Sequence, residues 1–128
     1  NKIAIYRSLA RRIKQNKHNL KKLLLKLKGQ GKTIVGFGAP AKGNTLLNYF
    51  KIDAAILDYI VDDSPYKQGL LTPGTHIPVV APDKIYQDRP DYALILAWNF
   101  AESIMKAHQK FTDLGGKFIV PVPVPKII

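Results

Sequence analysis

The amino-acid sequence predicts an α/β domain with a mostly parallel sheet, preceded by a long basic amphipathic helix. From Thr33 onward, short apolar runs of strand type alternate with helical patterns, as expected of parallel strands joined by right-handed crossovers. A glycine-rich segment, Gly36–Gly43, begins within the first of these runs. We therefore divide the chain into a basic helix with its connector, residues 1–32, which we expect to pack on the domain, and the domain itself, residues 33–128.

The composition bounds the class of protein. The 128 residues, 46% of them hydrophobic, suit one domain with its own core. The chain has no cysteine, which excludes disulfides and thiolate metal sites. It lacks an apolar run of the roughly 20 residues that a membrane span needs and a signal-peptide pattern, so we expect a cytoplasmic protein with no membrane partner. Because the chain begins at Asn1 rather than Met, we expect it to be part of a longer polypeptide.

The net charge of +11 comes from the first segment of the chain. Residues 1–32 contain eleven lysines and arginines and no acid, whereas the rest of the chain contains nine basic and nine acidic residues. Strong basicity usually suggests a nucleic-acid partner. Here the domain that follows the basic segment is neutral, so a nucleic-acid partner is not the favoured interpretation.

The first element is predicted to be a helix over residues 3–28. Its apolar side chains recur at steps of three or four, with Asn16 interrupting the stripe, at Ile5, Leu9, Ile13, Leu20, Leu24 and Leu27. The basic face has three interpretations: a solvated helix packed on the domain, a contact with nucleic acid, or a helix lying on an anionic membrane. The first is favoured because the stripe is typical of a core and no aromatic residue follows Tyr6. Repulsion between the positive charges predicts an acidic partner surface or anions nearby.

The later elements follow in order along the chain. Strands are predicted at Thr33–Phe37, Leu57–Val61, Ile77–Val80, Tyr92–Ala97 and Lys117–Val120. Helices are predicted at Ala41–Phe50, Pro82–Tyr86 and Asn99–Leu114, the last capped by Asn99. Pro78 assigns the third strand to an edge or a strand start, and the uncharged fourth run is typical of a central strand. A turn-rich loop covers Ser64–Thr75, and Pro121–Pro125 is expected to run extended along the surface.

The first candidate site is the pattern Gly36-x-Gly38-x-x-Ala41, which lies between a predicted strand and a predicted helix. That context is the one a dinucleotide fingerprint requires, and it predicts a Rossmann-like three-layer domain. Glycines allow backbone N–H groups to approach a phosphate, and the helix N-terminus adds favourable potential. Lys42 opposes the helix dipole there, so an anionic ligand would explain its position. The alternative is a tight strand-to-helix turn with an exposed lysine.

Polar and aromatic residues follow two other predicted strands. Asp62 and Asp63 follow the second strand, where a carboxylate can accept hydrogen bonds from ribose hydroxyls; equally, they could initiate a turn. Trp98 and Asn99 follow the fourth strand, and an indole beside an amide suits a sugar or a base, or else a packing Trp and a helix cap. His76 is a candidate acid or base, although a lone His beside a turn is more often structural. We find no metal-ligand spacing and no nucleophile with a paired base.

Several segments together resemble one known family. They are Gly36-Phe37-Gly38-Ala39-Pro40-Ala41-Lys42-Gly43-Asn44-Thr45-Leu46-Leu47-Asn48, Val61-Asp62-Asp63-Ser64-Pro65-Tyr66-Lys67-Gln68-Gly69, Pro73-Gly74-Thr75-His76-Ile77-Pro78, Leu96-Ala97-Trp98-Asn99 and Gly115-Gly116-Lys117-Phe118-Ile119-Val120-Pro121. The chain resembles, over essentially its whole length, the C-terminal domain of the S-adenosylmethionine-dependent sugar C-methyltransferases. Five motifs in the right order are far more specific than a lone glycine fingerprint.

The resemblance implies a nucleotide-sugar ligand and an upstream domain of the same polypeptide that binds S-adenosylmethionine. It implies that this domain binds no cofactor itself and contains no catalytic residue, so that it is inactive alone. Lys42 and the loop amides would contact the diphosphate, Asn44 and Asn99 the sugar or base, and Trp98 would form a stacking wall. The positions that match family motifs are Gly38, Ala39, Lys42, Gly43, Asn44, Asn48, Lys67, Trp98 and Asn99, and Asp62 joins them as a candidate ribose ligand.

Two other functions remain open from the sequence. The glycine pattern and Asp62 would also suit an NAD(P)-type dinucleotide-binding domain of an oxidoreductase, although no substrate domain or hydride partner is evident. The basic helix would suit a nucleic-acid-binding module, which is the less favoured of the two.

Overall fold

The computed structural model describes residues 2–38, 47–64, 68–121 and 125–128. Within these ranges, six strands form one sheet in the order β3-β2-β1-β4-β5-β6. The strands are β1 (Ile34–Phe37), β2 (Ile60–Val61), β3 (Val79–Val80), β4 (Tyr92–Ile95), β5 (Lys117–Val120) and β6 (Lys126–Ile127). The first five are parallel to their neighbours, and β6 is antiparallel to β5. The prediction of an α/β domain with a mostly parallel sheet is therefore confirmed.

Helices cover both faces of this sheet. They are α1 (Lys2–Gly29), α2 over residues 47–50, α3 (Asp83–Asp88), α4 (Ala101–Ala107) and α5 (Gln109–Asp113), with a 3-10 turn at Trp98–Phe100. Among the described residues, no helix is long and apolar enough to cross a membrane. The crossover from β3 to β4 contains α3 and that from β4 to β5 contains α4 and α5, as the alternating sequence pattern indicated, whereas no helix occurs in the described part of the β2–β3 connection.

The core consists of two apolar clusters, one on each face of the sheet, because successive strand residues point to opposite faces. Ile34 and Leu94 belong to the first cluster, whereas their neighbours Val35 and Ile95 belong to the second. The first cluster also contains residues of α1 and α2, namely Leu20, Leu24, Leu27, Leu47 and Phe50. The second contains residues of α3, α4 and α5, namely Ile85, Tyr86, Ala101, Ile104, Met105 and Phe111.

Helix α1 packs on the sheet through its C-terminal third. Leu20, Leu24 and Leu27 are buried, and the helix ends in a turn in which the Lys32 N–H donates to the Leu27 carbonyl at 3.1 Å. By contrast, residues 2–8 are all exposed, and Ile5 keeps 59% of its surface in solvent. The expectation that Ile5 belongs to the buried stripe was therefore wrong. The side chains of Leu9 and Ile13, also predicted in the stripe, are not among those described.

The structure corrects two other expectations. The single helix predicted at Asn99–Leu114 is interrupted at His108, whose φ of −118° and ψ of 37° separate α4 from α5. Phe100, rather than Asn99, precedes α4, and it makes no side-chain cap bond. The short strand β6 was not predicted. It follows the last proline, Pro125, so its residues again have backbone N–H groups to donate. Beside it, Phe118 and Ile128 exchange two backbone hydrogen bonds. These bonds cover the outer edge of β5.

Candidate functional site

The carboxyl end of β1 is the centre of the candidate site. Gly38 follows β1 with a φ of +84°, a left-handed conformation that favours glycine. Its N–H donates to the carbonyl of Val61, the last residue of β2, at 2.7 Å. A Cβ at Gly38 would lie 2.9 Å from the Cβ of Ala97, the residue before Trp98. The segments that follow β1, β2 and β4 therefore meet around Gly38.

Asp62 lies directly beyond β2 and organises the turn that follows. Its N–H donates to the Val80 carbonyl at 3.0 Å, and its Oδ1 accepts a hydrogen bond from the Ser64 N–H at 2.8 Å. The Gln68 side chain donates to the Asp62 carbonyl at 2.9 Å. This arrangement is an Asx turn, so the turn interpretation of Asp62 applies. Asp62 is half-buried, and it directly follows Val61, whose carbonyl accepts the Gly38 N–H.

Trp98 opens the 3-10 turn beyond β4 and keeps 38% of its surface exposed. Phe100, two residues later in the same turn, is 65% exposed. The backbone of Asn99 lies between them, and its side chain is not among those described. Two partly exposed aromatic rings thus follow the strand that neighbours β1. Sequence reasoning missed Phe100, although its spacing of two from Trp98 could have drawn attention to it.

The other predicted residues stand in three different situations. Asn48, on α2, donates through Nδ2 to the Pro73 carbonyl at 3.4 Å, and a Cβ at Gly74 would lie 2.6 Å from its Oδ1. Asn48 therefore contacts the Pro73–Gly74 turn. His76 is exposed with a φ of 54°, and its N–H closes that turn on Thr72 at 2.9 Å. Five predicted residues lie outside the described part of the chain: Ala39, Lys42, Gly43, Asn44 and Lys67.

A polar pair beneath the site was not predicted. The hydroxyl of Tyr86, on α3, and the Nδ1 of His108 are 2.7 Å apart. Burial raises the pKa of Tyr86 and lowers the pKa of His108, while the Asp63 carboxylate works against the lowering in His108. Both shifts favour the neutral form of each side chain near pH 7, and a hydrogen bond joins the hydroxyl to Nδ1. The two residues are 22 positions apart in the sequence, which left no local signal for the pair.

This pair supports the residue that precedes Gly38. The His108 ring packs on the ring of Phe37 with centroids 4.5 Å apart. The Tyr86 ring stacks on the same His108 ring with centroids 6.1 Å apart. Lys110 places its Nζ 5.1 Å from the centre of the Tyr86 ring, a cation–π contact. The hydrogen bond joins α3 to the junction of α4 and α5, and the His108 ring at that junction packs on Phe37 at the end of β1.

The groups described at this site are of kinds that can contact a ligand. In residues 2–38, 47–64, 68–121 and 125–128, no group of three or more histidines and carboxylates could hold a metal ion. The site offers a left-handed glycine at a strand end, a carboxylate and exposed aromatic rings. Those groups can contact phosphate, hydroxyl and ring surfaces.

Two comparisons with known proteins agree with each other on the family that this chain resembles. The sequence profile of the C-methyltransferase C-terminal domain family matches residues 1–123. The chain is also 37% identical over 123 residues to the C-methyltransferase NovU of Streptomyces niveus. That similarity covers 96% of this chain and 29% of the relative, so the chain spans less than a third of the length of NovU.

Proposed function

Because the chain belongs to the C-methyltransferase C-terminal domain family, we propose that it forms the nucleotide-sugar-binding part of an S-adenosylmethionine-dependent C-methyltransferase. The substrate would be a nucleoside diphosphate-linked keto-deoxysugar, and the enzyme would act in the cytoplasm. The methyl donor would be held by another domain of the same polypeptide. This domain would therefore bind substrate without performing the chemistry alone.

The observation that carries this proposal is the convergence of segments from β1, β2 and β4 around Gly38. In open α/β sheets, ligands bind beyond the carboxyl ends of strands, where the strand order reverses direction. The order β3-β2-β1-β4-β5 has that reversal between β1 and β4, and Gly38 and Ala97 are in contact there. The same order supports classifying the domain as Rossmann-like.

Each group has a physical role in the proposed complex. Backbone N–H groups after Gly38 and the charge of Lys42 would contact the diphosphate. The Asp62 carboxylate would accept from ribose hydroxyls, and Trp98 would stack on a planar ring. The remaining residues would shape the loop or contact the sugar and base: Ala39, Gly43, Asn44, Asn48, Lys67 and Asn99.

The reaction proposed for the whole enzyme forms a carbon–carbon bond. A base removes the proton beside the sugar ketone, and the resulting enolate carbon takes the methyl group from the donor, which leaves as a neutral thioether. S-adenosylmethionine supplies that electrophilic methyl group. We assign neither the base nor the donor site to this chain, whose contribution is to orient the sugar nucleotide.

Calorimetric titration of the chain with UDP-, dTDP- and GDP-sugars, and separately with NADH, tests the proposal. We expect weak binding of at least one sugar nucleotide. Lys42→Ala should weaken it by about 1.5–3 kcal/mol, the value of a charged hydrogen bond, which is roughly 10- to 150-fold. Lys117→Ala, which removes the same charge from the exposed start of β5, should leave the affinity unchanged.

Two results would contradict the proposal. Binding of NADH at micromolar concentration, with no heat from any sugar nucleotide, would favour the oxidoreductase domain instead. Equal losses in the Lys42 and Lys117 variants would show that net charge, rather than a phosphate contact, determines the affinity.

A further inference from the structure

Helix α1 is much longer than the surface on which it packs. Its 28 residues extend over about 42 Å at 1.5 Å per residue. Among the side chains of α1 that the structure describes, the buried ones run from Leu20 to Leu27 and cover only about 10 Å of that length. We call residues 2–18 the N-terminal arm, and among its described side chains none is buried.

The arm is the end of α1 that lies farther along the helix from its attachment to the domain at Lys28. The C-terminal end of α1 is held at the amino edge of the sheet, because Lys28 Nζ lies 3.7 Å from the Asp58 carboxylate just before β2. β1 begins five residues after Gly29. The 17 residues of the arm span about 26 Å as a helix, about twice the roughly 13 Å length of a four-residue strand.

The arm is strongly and uniformly basic. It contains six basic residues and no acid: Lys2, Arg7, Arg11, Arg12, Lys14 and Lys17. The ion pairs that the structure describes, Lys28–Asp58 and Lys84–Asp88, involve no residue of the arm, and Lys17 lies 5.0 Å from the ring centre of Tyr49. Arg7 and Arg11 are four residues apart, a spacing at which like charges destabilise a helix. An unpacked helical segment of this length is marginal in water, so a partner would stabilise it.

Apolar and aromatic side chains accompany these charges at the end of the arm. Ile5 and Tyr6 keep 59% and 69% of their surfaces exposed, and Arg7 follows directly. Tyrosine and arginine are the residue types enriched where protein interfaces bind most strongly. Nucleic acid or an anionic bilayer would use the charges, but a protein surface with an apolar centre and an acidic rim would use both features.

A second copy of this chain does not supply that surface. Outside residues 1–32 the chain has equal numbers of basic and acidic residues, so the rest of a second copy presents no excess of negative charge. Two arms would repel each other. Charge complementarity therefore favours a different, acidic partner over a second copy.

We propose that the N-terminal arm is a docking helix for a protein surface, outside these 128 residues, that has an apolar groove and an acidic rim. The arm would be partly frayed in the isolated chain and would become a stable helix on this partner. This inference does not depend on the nucleotide-sugar ligand. Its test therefore succeeds or fails separately from the titrations with sugar nucleotides.

The test uses the whole 128-residue chain and a synthetic acidic helix as the probe. The probe carries leucine at the a and d positions and glutamate at the e and g positions of a heptad repeat. Hydrogen exchange should show weak protection of residues 2–18 in the free chain, strong protection with the probe, and protected residues 20–28 in both cases. A control peptide of the same composition, whose leucines are dispersed so that they form no apolar face, should bind the chain at least on the order of tenfold more weakly than the probe does.

Matched variants locate the interaction. The double change Arg7→Glu/Arg11→Glu should abolish binding of the probe, while Lys117→Glu/Lys126→Glu, with the same change in net charge, should retain it. Tyr6→Ala should weaken binding about tenfold or more, as for an interface anchor. Thermal unfolding of the sheet should be the same in all variants, since the altered side chains are exposed.

Four outcomes would overturn the proposal. One is equal binding of the two peptides. Two others are binding to duplex DNA, or to phosphatidylserine-containing vesicles, that is tighter than binding to the acidic probe at equal salt concentration. The fourth is self-association of the chain through the arm. Full protection of the arm in the free monomer would likewise contradict it, because a helix that is stable alone would need no partner.

Discussion

The contact between Gly38 and Ala97 is the feature on which the candidate site depends, and substitution of Gly38 tests it. Alanine at position 38 would have to adopt a φ of +84°, which costs a non-glycine residue roughly 1–2 kcal/mol. Its Cβ would also lie 2.9 Å from the Ala97 Cβ, and such overpacking typically costs about 1–3 kcal/mol. We therefore expect Gly38→Ala to lower the free energy of unfolding by about 2–5 kcal/mol.

A second glycine separates the two contributions. Gly69 has nearly the same φ, +85°, and a Cβ there would meet nothing within 4 Å. Gly69→Ala should therefore cost only the backbone term of about 1–2 kcal/mol. Ala97→Gly removes the opposing methyl group, so Gly38→Ala should cost less in that background, with a coupling energy of about 1–3 kcal/mol in a double-mutant cycle.

Urea unfolding followed by far-ultraviolet circular dichroism measures the free energy of unfolding of the unaltered protein, of the three single variants and of the double variant. The comparison holds provided that the slope of that free energy with denaturant concentration is unchanged. The same variants can be titrated with sugar nucleotides, and Gly38→Ala should weaken binding more than Gly69→Ala. The reasoning is refuted if Gly38→Ala is no more harmful than Gly69→Ala. It is also refuted if Ala97→Gly fails to relieve it, because the segments after β1 and β4 would then not be in contact.

Three further predictions concern packing and protonation, each measured by urea unfolding. Leu24→Ala should lower the free energy of unfolding by about 2–5 kcal/mol because Leu24 is fully buried. Leu25→Ala, at a 52% exposed position, should change that free energy by less than about 0.5 kcal/mol. Similar effects of the two changes would mean that α1 packs by another face. Burial lowers the pKa of His108 below its ordinary value of 6.5, so the unfolded chain binds the proton more readily and stability falls as pH drops below that value; His108→Gln should flatten this slope and His18→Gln should not. Tyr86→Phe should cost about 0.5–1.5 kcal/mol through the lost hydrogen bond, and an undiminished cost in the His108→Gln background would contradict the pairing.

Much of the fold could be predicted because its signals are local. The third strand, with its Pro78, was expected at an edge and β3 lies there, and the uncharged Tyr92–Ala97 run gave the central β4. The break at His108 and the strand β6 could not be read from periodicity. The break occurs within an otherwise helical pattern, and β6 depends on the β5 edge that it pairs with.

The sequence by itself determined the α/β class, the position of the glycine segment after β1 and the basic character of α1. These follow from the spacing of apolar residues, the conformational freedom of glycine and the local density of charge. The tertiary structure alone decided that Gly38 lies against Ala97, that Tyr86 bonds His108, and that Ile5 is exposed although Leu24 is buried. Such contacts join residues distant in sequence, and a helical repeat identifies the apolar face without showing how much of its length a short sheet can cover.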